Sequence, residues 1–103
     1  MRWRNVPVSA TALADKGPAS ITLGETSLLV GSYEGILWAI EDMCSHAMCA
    51  FSEDGEVNGR AAICDCHGSE FDVLTGEVLE PPAQDPIRTY QVRNDGGLVM
   101  VLV

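Results

Sequence analysis

The chain has few basic residues, few histidines and no long apolar run. Six Lys and Arg stand against fifteen Asp and Glu, for a formal net charge of -9 and a pI near 4.3. That sign is wrong for tracking a phosphate backbone or an anionic lipid surface, so nucleic acid and membrane surfaces recede as partners. Met1 to Val8 carries Arg2 and Arg4 but no apolar stretch of the kind that marks an export signal or a spanning helix. The protein is therefore expected to be cytoplasmic, with no membrane partner. Internal repeats, low-complexity tracts and a linker between halves are also missing. At 103 residues the chain holds one domain, 1–103, and has no room for a second, catalytic one. Charged residues make up only 20% against 47% hydrophobic, which argues against disorder. A core of this size gives a thin stability margin, so cross-links or a metal centre are expected to supplement it.

What is present is the punctuation of a β protein. Ser20 to Leu23, Ser27 to Ser32, Ile36 to Ile40, Ala61 to Cys64, Ile87 to Arg93 and Leu98 to Val103 have strand character. Between them lie turn signals at Gly24-Glu25, Glu34-Gly35, Asp54-Gly55, Asn58-Gly59, Thr75-Gly76 and Asn94-Asp95-Gly96-Gly97. Only Val8 to Asp15 has helical spacing. The expected fold class is all-β, with antiparallel sheets forming a small incomplete barrel or sandwich. The stretch with least strand character, Asp42 to Pro86, contains every Cys and His.

Four cysteines, at 44, 49, 64 and 66, fall within 23 positions beside the only two histidines, 46 and 67. Without an export signal, such a cluster reads as metal binding before it reads as a disulfide framework. Cys44-Ser45-His46 and Cys64-Asp65-Cys66-His67 form CxH and CxxH motifs separated by 17 residues. A short loop can turn a Cys and a His two or three positions apart toward one centre, and two loops can grip it from opposite sides. Zinc accepts two Cys and two His and is the main metal alternative, although the CxxC knuckles of zinc fingers and ribbons are missing. Buried core cysteines with incidental histidines are the plainer reading.

CxH followed by CxxH at this separation resembles the Rieske family, in which a [2Fe-2S] cluster has two Cys on one iron and two His on the other. The resemblance extends over nearly the whole chain and implies a Rieske fold whose cluster-binding subdomain, about 42–86, is inserted in a basal β domain. It implies that Cys44 and Cys64 bind the inner iron and that His46 and His67 bind the outer iron near the surface. The sequences CSHAMC and CDCHGS are also similar to Rieske proteins of cytochrome bc complexes, which implies a disulfide between Cys49 and Cys66. Ser69 matches the bc-type serine that donates to a bridging sulfide, whereas Phe71 stands where that pattern has a donor Tyr. With one of two donors present, the potential should lie within the family span of roughly -150 to +300 mV, below the bc type and above the low end. Gly68 and Gly76 are expected at tight turns near the cluster. Pro81, Pro82 and Pro86 resemble the family's cluster-shielding loop. Trp3, Trp38, Met43 and Met48 read as packing residues, Met48 being also a candidate for the docking face.

A Rieske centre is fully ligated by protein and so serves outer-sphere, one-electron transfer. The resemblance implies a Rieske-type ferredoxin, monomeric in isolation, rather than an enzyme. Such ferredoxins pass electrons from an NAD(P)H-dependent flavoprotein reductase to a terminal aromatic-ring-hydroxylating oxygenase. The alternatives are a small Rieske subunit of another oxidoreductase, of nitrite or arsenite oxidoreductase type, and a soluble bc-type Rieske domain.

Overall fold

The computed structural model describes residues 1–45 and 49–103; His46, a ligand candidate, and Met48, a docking-face candidate, lie with Ala47 outside the described residues. The elements follow in the order β1 (Trp3–Ser9), α1 (Ala10–Lys16), β2 (Ala19–Leu23), β3 (Thr26–Tyr33) and β4 (Ile36–Glu41). Next come α2 (Phe51–Asp54), β5 (Gly55–Asn58), β6 (Ala61–Cys64), β7 (Glu70–Asp72) and β8 (Val78–Glu80). The chain closes with β9 (Thr89–Tyr90), β10 (Val92–Asp95) and β11 (Leu98–Leu102). All pairings are antiparallel, in three separate sheets ordered β1-β11-β10, β2-β3-β4-β9 and β5-β6-β7-β8. The expected all-β class is observed, as open sheets that do not close into a barrel.

The middle sheet is apolar on both faces, because each face meets a different core. Successive side chains of a strand alternate in direction, so Leu28, Val30 and Ala39 point one way and Leu29, Trp38 and Ile40 the other. The first group packs with Val6, Leu13, Ile21, Val99 and Val101 beneath the β1-β11-β10 sheet. The second packs with Cys44, Phe51, Ala62, Cys64, Phe71, Val73, Ala83 and Ile87. Phe51 and Phe71 meet edge to face with ring centroids 5.7 Å apart, the arrangement favoured by the ring quadrupole. Burying each ring contributes on the order of 2 kcal/mol from area alone. Strands β4 and β9 pair directly, Ile40 opposite Thr89, so residues 42–86 leave and rejoin the same sheet.

Four details differ from the sequence expectation. The helix begins at Ala10 rather than Val8, because residues up to Ser9 belong to β1 and the Ser9 hydroxyl then accepts the Ala12 N–H as the helix cap. Ile87 to Arg93 is not one strand: Thr89 and Tyr90 join the middle sheet, whereas Val92 onward joins β11. The stretch from Asp42 to Pro86 holds a four-stranded sheet of its own. Its strands are only three or four residues long and carry Glu56, Glu70 and Glu80, so they lack a long apolar alternation. The Asp54-Gly55 pair, read as a turn, is instead where α2 runs straight into β5.

Candidate metal centre

Cys44 lies in the loop that follows β4, and the second motif begins at the end of β6 and runs into the next loop. Strand β6 alternates its side chains so that Ala62 and Cys64 face inward, which leaves Cys64 1% exposed at the strand's last position. The chain then turns tightly: the Gly68 N–H donates to the Cys64 carbonyl (2.8 Å) and the Cys64 N–H to the Ser69 carbonyl (2.8 Å). Gly68 has φ +82°, a conformation costly for any residue with a Cβ. Asp65, Cys66 and His67 are thereby exposed on the outside of the turn. In the first loop the Cys44 N–H donates to the Cys49 carbonyl (2.9 Å), and Cys44 is buried at 3%.

The four cysteines fall into two kinds. Cys49 and Cys66 form a disulfide that ties the two loops across a separation of 17 residues. On the chain-entropy account a bridge closing a loop of this length contributes about 3 kcal/mol. Cys44 and Cys64 are buried free thiols in one core cluster, close enough for Cys44 to act on the Cys64 thiol. Burial pushes the Cys64 thiol above its ordinary pKa, opposed by the backbone N–H groups of Cys66 and His67 and reinforced by Cys44. Two adjacent buried sulfurs with N–H donors aimed at one of them suit a soft metal, which favours the thiolate form. The sulfurs of Cys49, Cys64 and Cys66 lie within 4.8 Å of one another, but the two in the disulfide are bonded to each other and are not ligands. The disulfide therefore borders the centre.

A third segment closes over the two loops. The Ser45 hydroxyl donates to the Asp85 carbonyl (2.5 Å), and the Ala83 N–H donates to the hydroxyl oxygen of Ser69 (3.0 Å), which is fully buried. Using that oxygen as an acceptor leaves the Ser69 proton for another partner. Pro81, Pro82 and Pro86 are exposed along this segment, while Ala83 and Ile87 anchor it in the core. Phe71 is fully buried and supplies no hydroxyl. Gly76, at φ +81°, lies so close to the chain after the Pro segment that a Cβ would come 2.3 Å from the Ile87 carbonyl oxygen. Trp38 is core, as expected, whereas Met43 is exposed and Trp3 half-buried beneath the Arg93 guanidinium. Sequence reading missed Asp42, a buried carboxylate at the foot of the first loop, and the Arg60–Asp72 ion pair (2.6 Å). Neither has a local motif, because the partners are 10 and 12 residues away.

This geometry defines a small β protein that holds a soft-metal centre between two cross-linked loops. The family model described as the Rieske [2Fe-2S] domain matches residues 3–91, and the chain belongs to that family, whose cofactor is one [2Fe-2S] cluster. The chain is 31% identical to sulredoxin of Sulfurisphaera tokodaii, with 98% of each covered. It is 33% identical to the ferredoxin component of the naphthalene 1,2-dioxygenase system of Pseudomonas putida, with 91% of this chain and 92% of that one covered. Among solved structures, a chain from the complex of reduced oxygenase and oxidised ferredoxin in carbazole 1,9a-dioxygenase superposes with a TM-score of 0.86. That match has 28% identity and covers 96% of this chain and 91% of the other. No helix among the described residues is long and apolar enough to cross a membrane.

Proposed function

We propose that this protein is a one-electron carrier that takes electrons from an NAD(P)H-dependent flavoprotein reductase and delivers them to a terminal aromatic-ring-hydroxylating oxygenase in the cytoplasm. It works as a monomeric domain in which residues 42–86 form the cluster-binding subdomain. The bound [2Fe-2S] cluster supplies a one-electron couple. Cys44 and Cys64 would hold one iron, and His46 and His67 the other. The observation that carries this reading is the division of the cysteines: two are used up in a bridge at the rim, and two adjacent, buried thiols stand ready as ligands. The names of the naphthalene and carbazole dioxygenase relatives support the choice of electron acceptor.

The residues divide the work. Buried Cys44 and Cys64 keep water from the inner side, and exposed His67 offers the electron an exit at the surface. The Ser69 hydroxyl, buried and accepting from the Ala83 N–H, has its proton left to donate, and directed at the centre it would stabilise added negative charge. The decisive experiment is reconstitution. The purified protein should show two irons and a Rieske EPR signal after reduction, and should restore NADH-driven turnover to a ring-hydroxylating oxygenase and its reductase. One zinc and no iron would end this reading. The Cys49–Cys66 bridge and Ser69, both features of bc-type Rieske proteins, favour as a second reading a bc-type Rieske domain. Copurification with a large partner would identify that case.

A further inference from the structure

The first loop leaves β4 at Asp42 and returns to regular structure at α2, a helix with a poorly finished start. Its N-cap is Ala50, whose side chain caps nothing, so the first N–H groups need an acceptor from elsewhere. Asp42 provides one. Its Oδ1 accepts the Ser52 N–H (3.0 Å) and its Oδ2 accepts the Ser52 hydroxyl, while the Ser20 hydroxyl donates to the same Oδ2 from β2 (3.3 Å). The Asp42 N–H donates to the Ser27 carbonyl (3.0 Å). A carboxylate only 5% exposed persists where such bonds offset its lost hydration.

We infer that Asp42 is a positioning residue for the cluster: it closes the base of the first loop and thereby sets where Cys44 stands. The inference rests on the ligand set proposed above and goes beyond it. The loop is a ladder whose bottom rung is Asp42 to Ser52, whose next rung is Cys44 N–H to the Cys49 carbonyl, and whose top is the Cys49–Cys66 bridge. Releasing the bottom rung lets Cys44 and Cys49 shift together, and the bridge passes that shift to the second loop. The Ser20 bond refers the ladder to the rigid middle sheet, a connection that capping a four-residue helix does not require.

The test uses the cluster-loaded protein and its D42A, D42N and S20A/S52A variants. Two readouts apply: the EPR g values of the reduced cluster, and the rate of cluster loss at a temperature where circular dichroism shows the chain folded. D42A should shift the g values and lose cluster about tenfold faster, the usual effect of removing an outer support. D42N is isosteric, keeps an acceptor for the Ser52 N–H and lets the Ser20 and Ser52 hydroxyls accept from its amide NH2 instead, so it should restore both. Wild-type g values and loss rate in D42A, with only a lower melting temperature, would reduce Asp42 to a helix cap and overturn the inference. So would a D42N protein that behaves like D42A, since the charge rather than the geometry would then matter. If D42A does not fold, S20A/S52A decides: it keeps the carboxylate and the Ser52 N–H bond, and should give a smaller shift of the same kind. No shift would overturn the inference. A wild-type protein without a Rieske spectrum would overturn the proposed function along with it, whereas a normal wild-type spectrum and unaffected variants overturn only the role of Asp42.

Discussion

Residues 42–86 and the remainder of the chain are built on opposite plans. Outside 42–86, five acidic residues are balanced by five Arg and Lys, and strands of up to eight residues enclose an aliphatic core. Inside it, ten acidic residues face the single cation Arg60, so the whole formal charge of -9 belongs to this region. Its strands are three or four residues long. One half is held by burial and cross-strand ladders. The other accumulates like charge, which opposes compaction, and offsets it with a disulfide, an aromatic pair and the metal centre. The function of the molecule is thus placed in the half that carries the repulsion.

Breaking the metal centre should separate them most sharply. C64S should abolish the Rieske EPR signal and loosen residues 42–86, while amide exchange in β3, β4 and β11 stays protected. Uniform loss of protection would show that the two halves fold as one. The next largest effect is expected from C49S/C66S, which should keep the cluster signal but lose about 3 kcal/mol of stability. For a domain of this size that lowers the melting temperature by roughly 15 °C. Unchanged melting would remove the disulfide from the list of supports.

The two halves also differed in how much their sequences revealed. In the aliphatic half, Leu28-Leu29-Val30 and Trp38-Ala39-Ile40 mark strands directly, because a sheet covered on both faces is apolar without interruption. In the other half the CxH and CxxH motifs were legible as spacing, and the disulfide forms as the family resemblance implied. The strands around them were not legible, because β7 and β8 are fixed by pairing and by what they cover rather than by their own composition. Asp42 and Asp72 were invisible for a related reason. Each looks like any other acidic residue in an acidic stretch until the fold brings Ser52 or Arg60 to it.

The unequal charge gives a kinetic prediction. An acceptor with a basic docking face should meet this protein with residues 42–86 foremost, and the electron-transfer rate constant should fall about tenfold between low and physiological ionic strength. Stopped-flow measurements against salt would check this, and a flat profile would mean the charge serves only solubility. A somewhat smaller energy belongs to Ser69. S69A should lower the midpoint potential by about 50 mV, since a hydrogen bond contributes about 1 kcal/mol net and 59 mV corresponds to about 1.4 kcal/mol for one electron. Protein-film voltammetry showing no change or a rise would assign the Ser69 hydroxyl to Ala83 alone.

The smallest effect concerns the one cation of the acidic half. Burial would raise the Asp72 carboxyl, but the Arg60 guanidinium and the Leu74 N–H (2.8 Å) outweigh it and hold the pKa below the ordinary value. A carboxyl with a depressed folded pKa contributes stability that is fully present above its unfolded pKa of about 4 and is lost as pH falls through the lower folded value. R60Q removes the lowering charge and leaves the burial, so the folded pKa rises and this contribution shrinks. The variant should therefore be slightly less stable near neutral pH, and its acid transition should begin at higher pH than that of the wild type. Because Arg60 is about half exposed, solvent screens the pair and the difference should narrow further in high salt. Denaturation midpoints followed from pH 7 to pH 3 test this, and superimposable curves would mean that Asp72 is held by the Leu74 N–H alone and that the acidic half needs no cation.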